Sequence, residues 1–170
     1  MPMNSDDYVL LVQDLTDIVQ VNRERVAAYN KCAYHCSDMV LKMLLNRELD
    51  NSRDNILAIK RLLMEHFGID GEQENRGELF CFWTAFKPSF EEADMTTQLL
   101  SFERADLLTL HCYQLLLSRT CLDTTTKNLI EFCDLTNTAI YNSIKKFREN
   151  FFNRHLVDSS VYSSQYLAHA

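Results

Sequence analysis

The chain has 170 residues, 46% hydrophobic and 24% charged, with a net charge of -7 and a pI near 5.2. That length suits one domain with a sizeable core. The acidic balance repels phosphate backbones and argues against nucleic-acid binding, and no apolar run approaches the roughly 18 residues of a membrane span.

Three Gly and two Pro are too few for the many tight turns of an all-β protein, so composition predicts long helices with few connections. The first residues, Met1 to Asp7, are acidic and contain no apolar leader-like run, which sets the expectation of a cytoplasmic protein. Six cysteines, Cys32, Cys36, Cys81, Cys112, Cys121 and Cys133, fall in or beside apolar helical stretches. They read as small reduced core residues without a disulfide framework. Cys32 and Cys36 are one helical turn apart, but no second Cys or His pair stands at matching spacing to complete a metal site.

In chain order, residues 6–35 form the first helical pattern. Leu11, Leu15, Ile18, Asn22, Val26, Tyr29 and Ala33 recur at steps of three or four, with Ser5 and Asp6 as caps. Asn22 is the polar residue on this stripe, and Arg25 lies close beside it. Ser37 and Asp38 break the pattern and open a second helix to about Phe67, marked by Leu41, Leu45, Leu49, Ser52, Ile56, Ile59 and Leu63. Gly68 then suits the position just past its end. Additional apolar residues at Met39, Met43, Leu44, Leu57, Leu62 and Met64 give this helix more than one apolar face, from which a homodimer is expected.

Residues 68–92 form a long connection. Asn75-Arg76-Gly77-Glu78 resembles a capping arrangement that opens a short helix, Leu79 to Phe86, stopped by Lys87-Pro88. Its aromatic residues, Phe80, Phe82, Trp83 and Phe86, together with Phe90, are expected to cover the core. Ser89 with Glu92 reads as a capping box for the third helix, which runs to about Ser118. Asp123 caps the fourth, whose stripe is Leu129, Phe132, Cys133, Thr136, Ile140, Ile144, Phe147 and Phe151. Lys145, Lys146 and Arg148 suit its negative C-terminal end. Periodicity fades after Asn153, which divides the chain into a bundle over 1–153 and a tail over 154–170.

Two helices, a long crossover with a short helix, and two more helices are the connectivity of an all-α, ferritin-like four-helix bundle. Three segments, Leu15-Thr16-Asp17-Ile18-Val19 followed by Asn22-Arg23 and Tyr29, Trp83 with Phe86-Lys87, and Glu103-Arg104-Ala105-Asp106 with Tyr113, together resemble the bacterial DUF2383 family of the ferritin-like superfamily. A further likeness is Ile144-Lys145-Lys146-Phe147-Arg148-Glu149. The resemblance implies a ferritin-like bundle without an established biochemical role. It is departed from at Val26-Ala27-Ala28-Tyr29, where relatives tend to carry a Glu, and at Tyr141, where a His is common.

The third helix poses the functional question. Leu99, Glu103, Asp106, Leu110, Tyr113 and Leu117 share a mostly apolar face, and two carboxylates interrupt it. A buried carboxylate needs a partner, a proton or a metal. Di-metal bundles use Glu-x-x-His at a spacing that places both ligands on one helix face, and the chain contains no such pair. The expectation is therefore no metal, no cofactor and no catalytic residue, but an internal polar network of Asn22, Arg25, Tyr29, Arg53, Glu103, Asp106, Tyr113 and Tyr141. His111 and Cys112 are neighbours whose side chains diverge on a helix, so they do not read as a catalytic dyad. The resulting picture is a structural or interaction protein, stress-associated by family analogy. Its rival is a di-iron or di-manganese carboxylate protein or oxidase.

Overall fold

The structure, a computed structural model, describes residues 5–72, 76–88, 94–119 and 121–167, with side chains described to residue 154. These residues form five helices and no strand: α1 Ser5–His35, α2 Met39–Leu62, α3 Glu78–Phe86, α4 Met95–Leu117 and α5 Thr124–Leu167. Local chemistry sets most of the boundaries. Asp38 caps α2 by accepting from the Leu41 amide at 2.9 Å, leaving a corner of only a few residues after α1. At the far end α2 widens into a π-helical turn, Leu63–Phe67, closed by Gly68 at φ 68°, a left-handed conformation that favours glycine. Asp94 caps α4 through the Thr97 amide at 3.1 Å. Asp123 caps α5 through the amides of Thr125 and Thr126, at 2.8 and 3.0 Å. The capping pair read at Ser89 and Glu92 lies outside the described residues, as do Asn75 and Phe90.

Helix α1 packs on α2 and α4, and α5 packs on α2 and α4. The core is divided into two clusters. One gathers Leu11, Leu15 and Ile18 of α1 with Ile59 of α2, Leu116 of α4 and Ile130 of α5, and α3 adds Leu79 and Trp83 to it. The other gathers Tyr29 and Ala33 of α1 with Leu41 and Leu45 of α2, Phe102 of α4 and Ile144 of α5. From the order of residues in the two clusters, α1 and α5 run one way and α2 and α4 the other. α3 leans on α1 and α4. Its Trp83 is fully buried, whereas Phe82 is half-buried and Phe86 is exposed. The aromatic segment thus covers the core with one side only.

Two readings of the last helix need correction. Phe132 is 63% exposed; the inward positions are Ile130, Cys133 and Asn137, a rotation from the expected Phe132 and Thr136. Helix α5 also runs on to Leu167 rather than ending near Asn153. Neither Gly nor Pro occurs between residues 124 and 167 to stop it, even though its apolar periodicity has faded. The cysteines also divide: Cys112 and Cys133 are buried and Cys81 is exposed, contrary to its reading as a core residue.

Candidate functional site

The plane between the two apolar clusters is polar, and Arg25 is its centre. Its guanidinium is 1% exposed, yet it reaches all three other long helices. Nη2 donates to Glu48 Oε2 of α2 at 2.5 Å and to Asp106 Oδ1 of α4 at 3.1 Å. Nη1 donates to Asn137 Oδ1 of α5 at 3.1 Å and to Asn22 Oδ1 of its own helix at 3.4 Å. A planar fork of several N–H donors can serve this many acceptors at once, as a lysine could not.

Further hydrogen bonds fix these partners. Tyr29 donates its hydroxyl proton to Asp106 Oδ1 at 2.6 Å, and the Arg25 guanidinium lies 5.7 Å from the Tyr29 ring centre. Asn22 Nδ2 donates to the Tyr113 hydroxyl at 2.9 Å and to the Ile18 carbonyl at 2.8 Å. Asn51 Nδ2 donates to Asn137 Oδ1 at 2.8 Å. The helical repeat explains why these residues meet. Asn22, Arg25 and Tyr29 stand three or four apart on α1, and Glu48 shares the inward face of α2 with Leu41, Leu45, Ser52, Asn55 and Ile59.

Burial raises the cost of charge throughout this layer. It pushes the Glu48 carboxyl up to about 8, with the negative Asp106 adding to the rise and Arg25 opposing it. It raises Asp106 too, against the lowering effects of Arg25 and Tyr29. Burial and then Asp106 hold the Tyr29 hydroxyl well above its usual value. For Arg25, burial disfavours the charge, but Glu48, Tyr29 and Asp106 outweigh it and keep the guanidinium protonated.

Five of the eight residues expected in the network meet here: Asn22, Arg25, Tyr29, Asp106 and Tyr113. The other three do not. Arg53 is exposed and pairs with Asp50 on its own helix, because it projects away from the face that carries Ser52. Glu103 lies one turn from Asp106 but is rotated out of the centre. It forms an ion pair with Arg148 Nε and accepts from the Tyr141 hydroxyl at 3.5 Å, making a separate, half-buried cluster between α4 and α5. Arg148 therefore serves Glu103 and is more than a charge suited to a helix end. Glu48, Asn51 and Asn137 are network members that the sequence reading missed. Glu48 was legible in principle, since it stands four residues before Ser52 and three after Leu45 on the buried stripe. Asn137 was hidden by the choice of Thr136.

A second polar arrangement holds α3. Asp17 Oδ1 accepts from the Gly77 amide at 2.8 Å and Oδ2 from the Phe80 amide at 3.0 Å, so a side chain of α1 caps the N-terminus of α3. Gly77 is required by contact, since a Cβ there would stand 2.5 Å from Asp17 Oδ2. Asp14, 1% exposed, accepts from Arg119 Nε at 2.8 Å. Trp83 Nε1 donates to Thr109 Oγ1 at 3.1 Å, joining α3 to α4. His111 is exposed while Cys112 is buried, its thiol against the Leu79 carbonyl, so the two neighbours do not form a pair.

No family model and no curated protein matches the chain.

The donor set of the polar layer does not fit a di-metal centre. A guanidinium is bonded to both carboxyl groups, the remaining donors are amides and phenols, and among the described residues no cluster of three or more His, Cys, Asp or Glu is arranged to hold a metal. The layer is suited chemically to holding four helices in one register. Among the described residues, no helix is long and apolar enough to cross a membrane.

Proposed function

We propose that this protein is a ferritin-like bundle of the DUF2383 type whose centre holds a fixed cation in place of metal ions, and that it acts as a non-catalytic interaction protein. The observation that carries this reading is Arg25, which from α1 bonds acceptors on α2, α4 and α5. The guanidinium supplies positive charge among the core carboxyl groups as part of the chain itself. The helix directions support the ferritin-like reading as well. Parallel α2 and α4 need a connection that travels the length of the bundle, and residues 68–94 are long enough to provide it.

α2 offers a surface for interaction. Met39, Met43, Leu57 and Met64 are 72%, 65%, 67% and 52% exposed, which favours self-association through that helix. Metal content and mass in solution test the two parts separately. The expectation is a chain without stoichiometric iron or manganese after loading, and a dimer that Leu57→Glu converts to monomer. Stoichiometric metal that resists chelation would overturn the first part. A monomer before substitution would overturn the second.

A further inference from the structure

We propose that Glu48 and Asp106 form a one-proton site, in which the folded protein at neutral pH holds a single proton between the two buried carboxyl groups. This rests on the reading of the bundle centre as a metal-free layer held by Arg25.

The argument begins with charge. Among the described residues, Arg25 is the one cationic side chain bonded to the two acids. Both carboxyl groups bond the same nitrogen, Arg25 Nη2, so they are held side by side. If both were ionised, a net negative charge would remain where no water reaches, at high cost.

The hydrogen bonds say the same. Glu48 Oε2 and Asp106 Oδ1 face Arg25, whereas Glu48 Oε1 and Asp106 Oδ2 are buried and have no partner among the described residues. Two carboxylates cannot satisfy each other, because both only accept. One proton turns Glu48 Oε1 into a donor and provides a partner for Asp106 at the same time. The negative charge then belongs on Asp106, whose Oδ1 receives both the Tyr29 hydroxyl and the guanidinium.

The surroundings support this from each side. α1 presents Arg25 and Tyr29, and α2 adds Arg47, which has a small lowering effect on Glu48. α4 presents Asp106 and Tyr113, and α5 presents the neutral Asn137. The Glu103–Arg148 pair is internally balanced and stands a turn away. Burial and the neighbouring Asp106 raise Glu48 accordingly. The site makes the bundle centre responsive to pH: proton loss leaves two charges on one guanidinium and weakens the junction of α1, α2 and α4.

The test uses the full chain. Carbon-13 NMR of side-chain carboxyls follows Glu48 through a pH titration, assigned by its absence in Glu48→Gln. The expected resonance is that of a protonated acid at neutral pH. A Glu48 signal already ionised under those conditions overturns the proposal. Denaturant unfolding gives a second reading, because Gln mimics the protonated acid: it donates to Asp106 and accepts from Arg25. Glu48→Gln should be at least as stable as the wild type at neutral pH and should lose the wild type's decline in stability between the ordinary carboxyl range and about pH 8, where the folded acid keeps a proton that the unfolded one has lost, while Glu48→Ala should be clearly less stable than the Gln variant. A Gln variant as unstable as the Ala variant would count against a shared proton. Elemental analysis of the same samples reports on the metal-free reading separately, so a bound metal and an ionised Glu48 are distinguishable failures.

Discussion

Replacing Arg25 by methionine would show how much the bundle depends on its central charge. Methionine is long and flexible enough to fill much of the same space, so the change removes charge and hydrogen bonds with little cavity. Four hydrogen bonds disappear. Asp106, 2% exposed, keeps the Tyr29 hydroxyl but loses its bonded cation. Breaking a buried ion pair in this one-sided way costs about 3–5 kcal/mol. For a chain of this size each kcal/mol corresponds to roughly 2–4 °C in melting temperature, so a drop of about 6–20 °C is expected at neutral pH. The deficit should narrow on acidification, because the stranded carboxyl can take up a proton: its folded pKa is raised, so stability returns as pH falls through that value. Circular dichroism melts at several pH values measure both effects. A variant that melts within about 2 °C of the wild type at every pH would refute the claim that Arg25 holds the helices together.

Three further expectations concern other parts of the molecule. Gly77→Ala should displace the Asp17 carboxylate from the start of α3 and cost about 1–2 kcal/mol, the usual value of a lost cap, read through fluorescence of Trp83, the sole tryptophan; an effect just as large in an Asp17→Ala background would show that the contact with Asp17 is not the cause. Arg119→Ala strands Asp14, whose carboxyl is raised by burial and lowered in part by Arg119. The cost in urea unfolding should be about 1–3 kcal/mol and should shrink as pH falls, since a raised acid gains its proton in the folded state; a pH-independent cost would argue that Arg119 contributes through packing alone. Among the thiols, Cys81 is exposed, while burial pushes Cys112 and Cys133 up to about 12. A thiol reagent should modify Cys81 in the native protein and leave those two untouched until unfolding, and their native labelling would contradict their burial in the core.

The helices were legible in the sequence because their signals are local. Caps at Asp38 and Asp123, the glycine after α2 and the three-four spacing of Leu11, Leu15 and Ile18 all act within a turn or two. Asp106 was legible for a different reason: it is a charge on an otherwise apolar stripe, and such a charge needs a partner, for which Arg25, beside the first helix's stripe, was a ready donor. Glu48 obeys the same rule but stands next to Arg47 and two residues before Asp50, which disguise a buried acid as part of a solvated surface. Asn137 and Thr136 both suit the α5 pattern, and the choice between them depends on how α5 is rotated against α2, which only packing decides. Arg53 and Arg148 exchanged roles for the same reason. One residue of rotation moves a side chain by about 100°, enough to turn a network member into a surface group.

The polar layer also bears on how the chain selects one assembly. Four amphipathic helices with similar leucine-rich faces can be arranged around a core in more than one order, and apolar packing alone discriminates weakly among those orders. Here each long helix carries a different chemical label at the same height: a cation on α1, an acid with an amide on α2, an acid with a phenol on α4, and an amide on α5. Moving α5 into the place of α4 would exchange Asp106 for Asn137 beside Tyr29, and sliding α1 by a turn would leave Arg25 among the aliphatic residues of one cluster. Each mistaken arrangement strands a charge in an apolar setting. The two apolar clusters supply most of the attraction between helices, and the thin layer between them distinguishes one arrangement from its near equivalents.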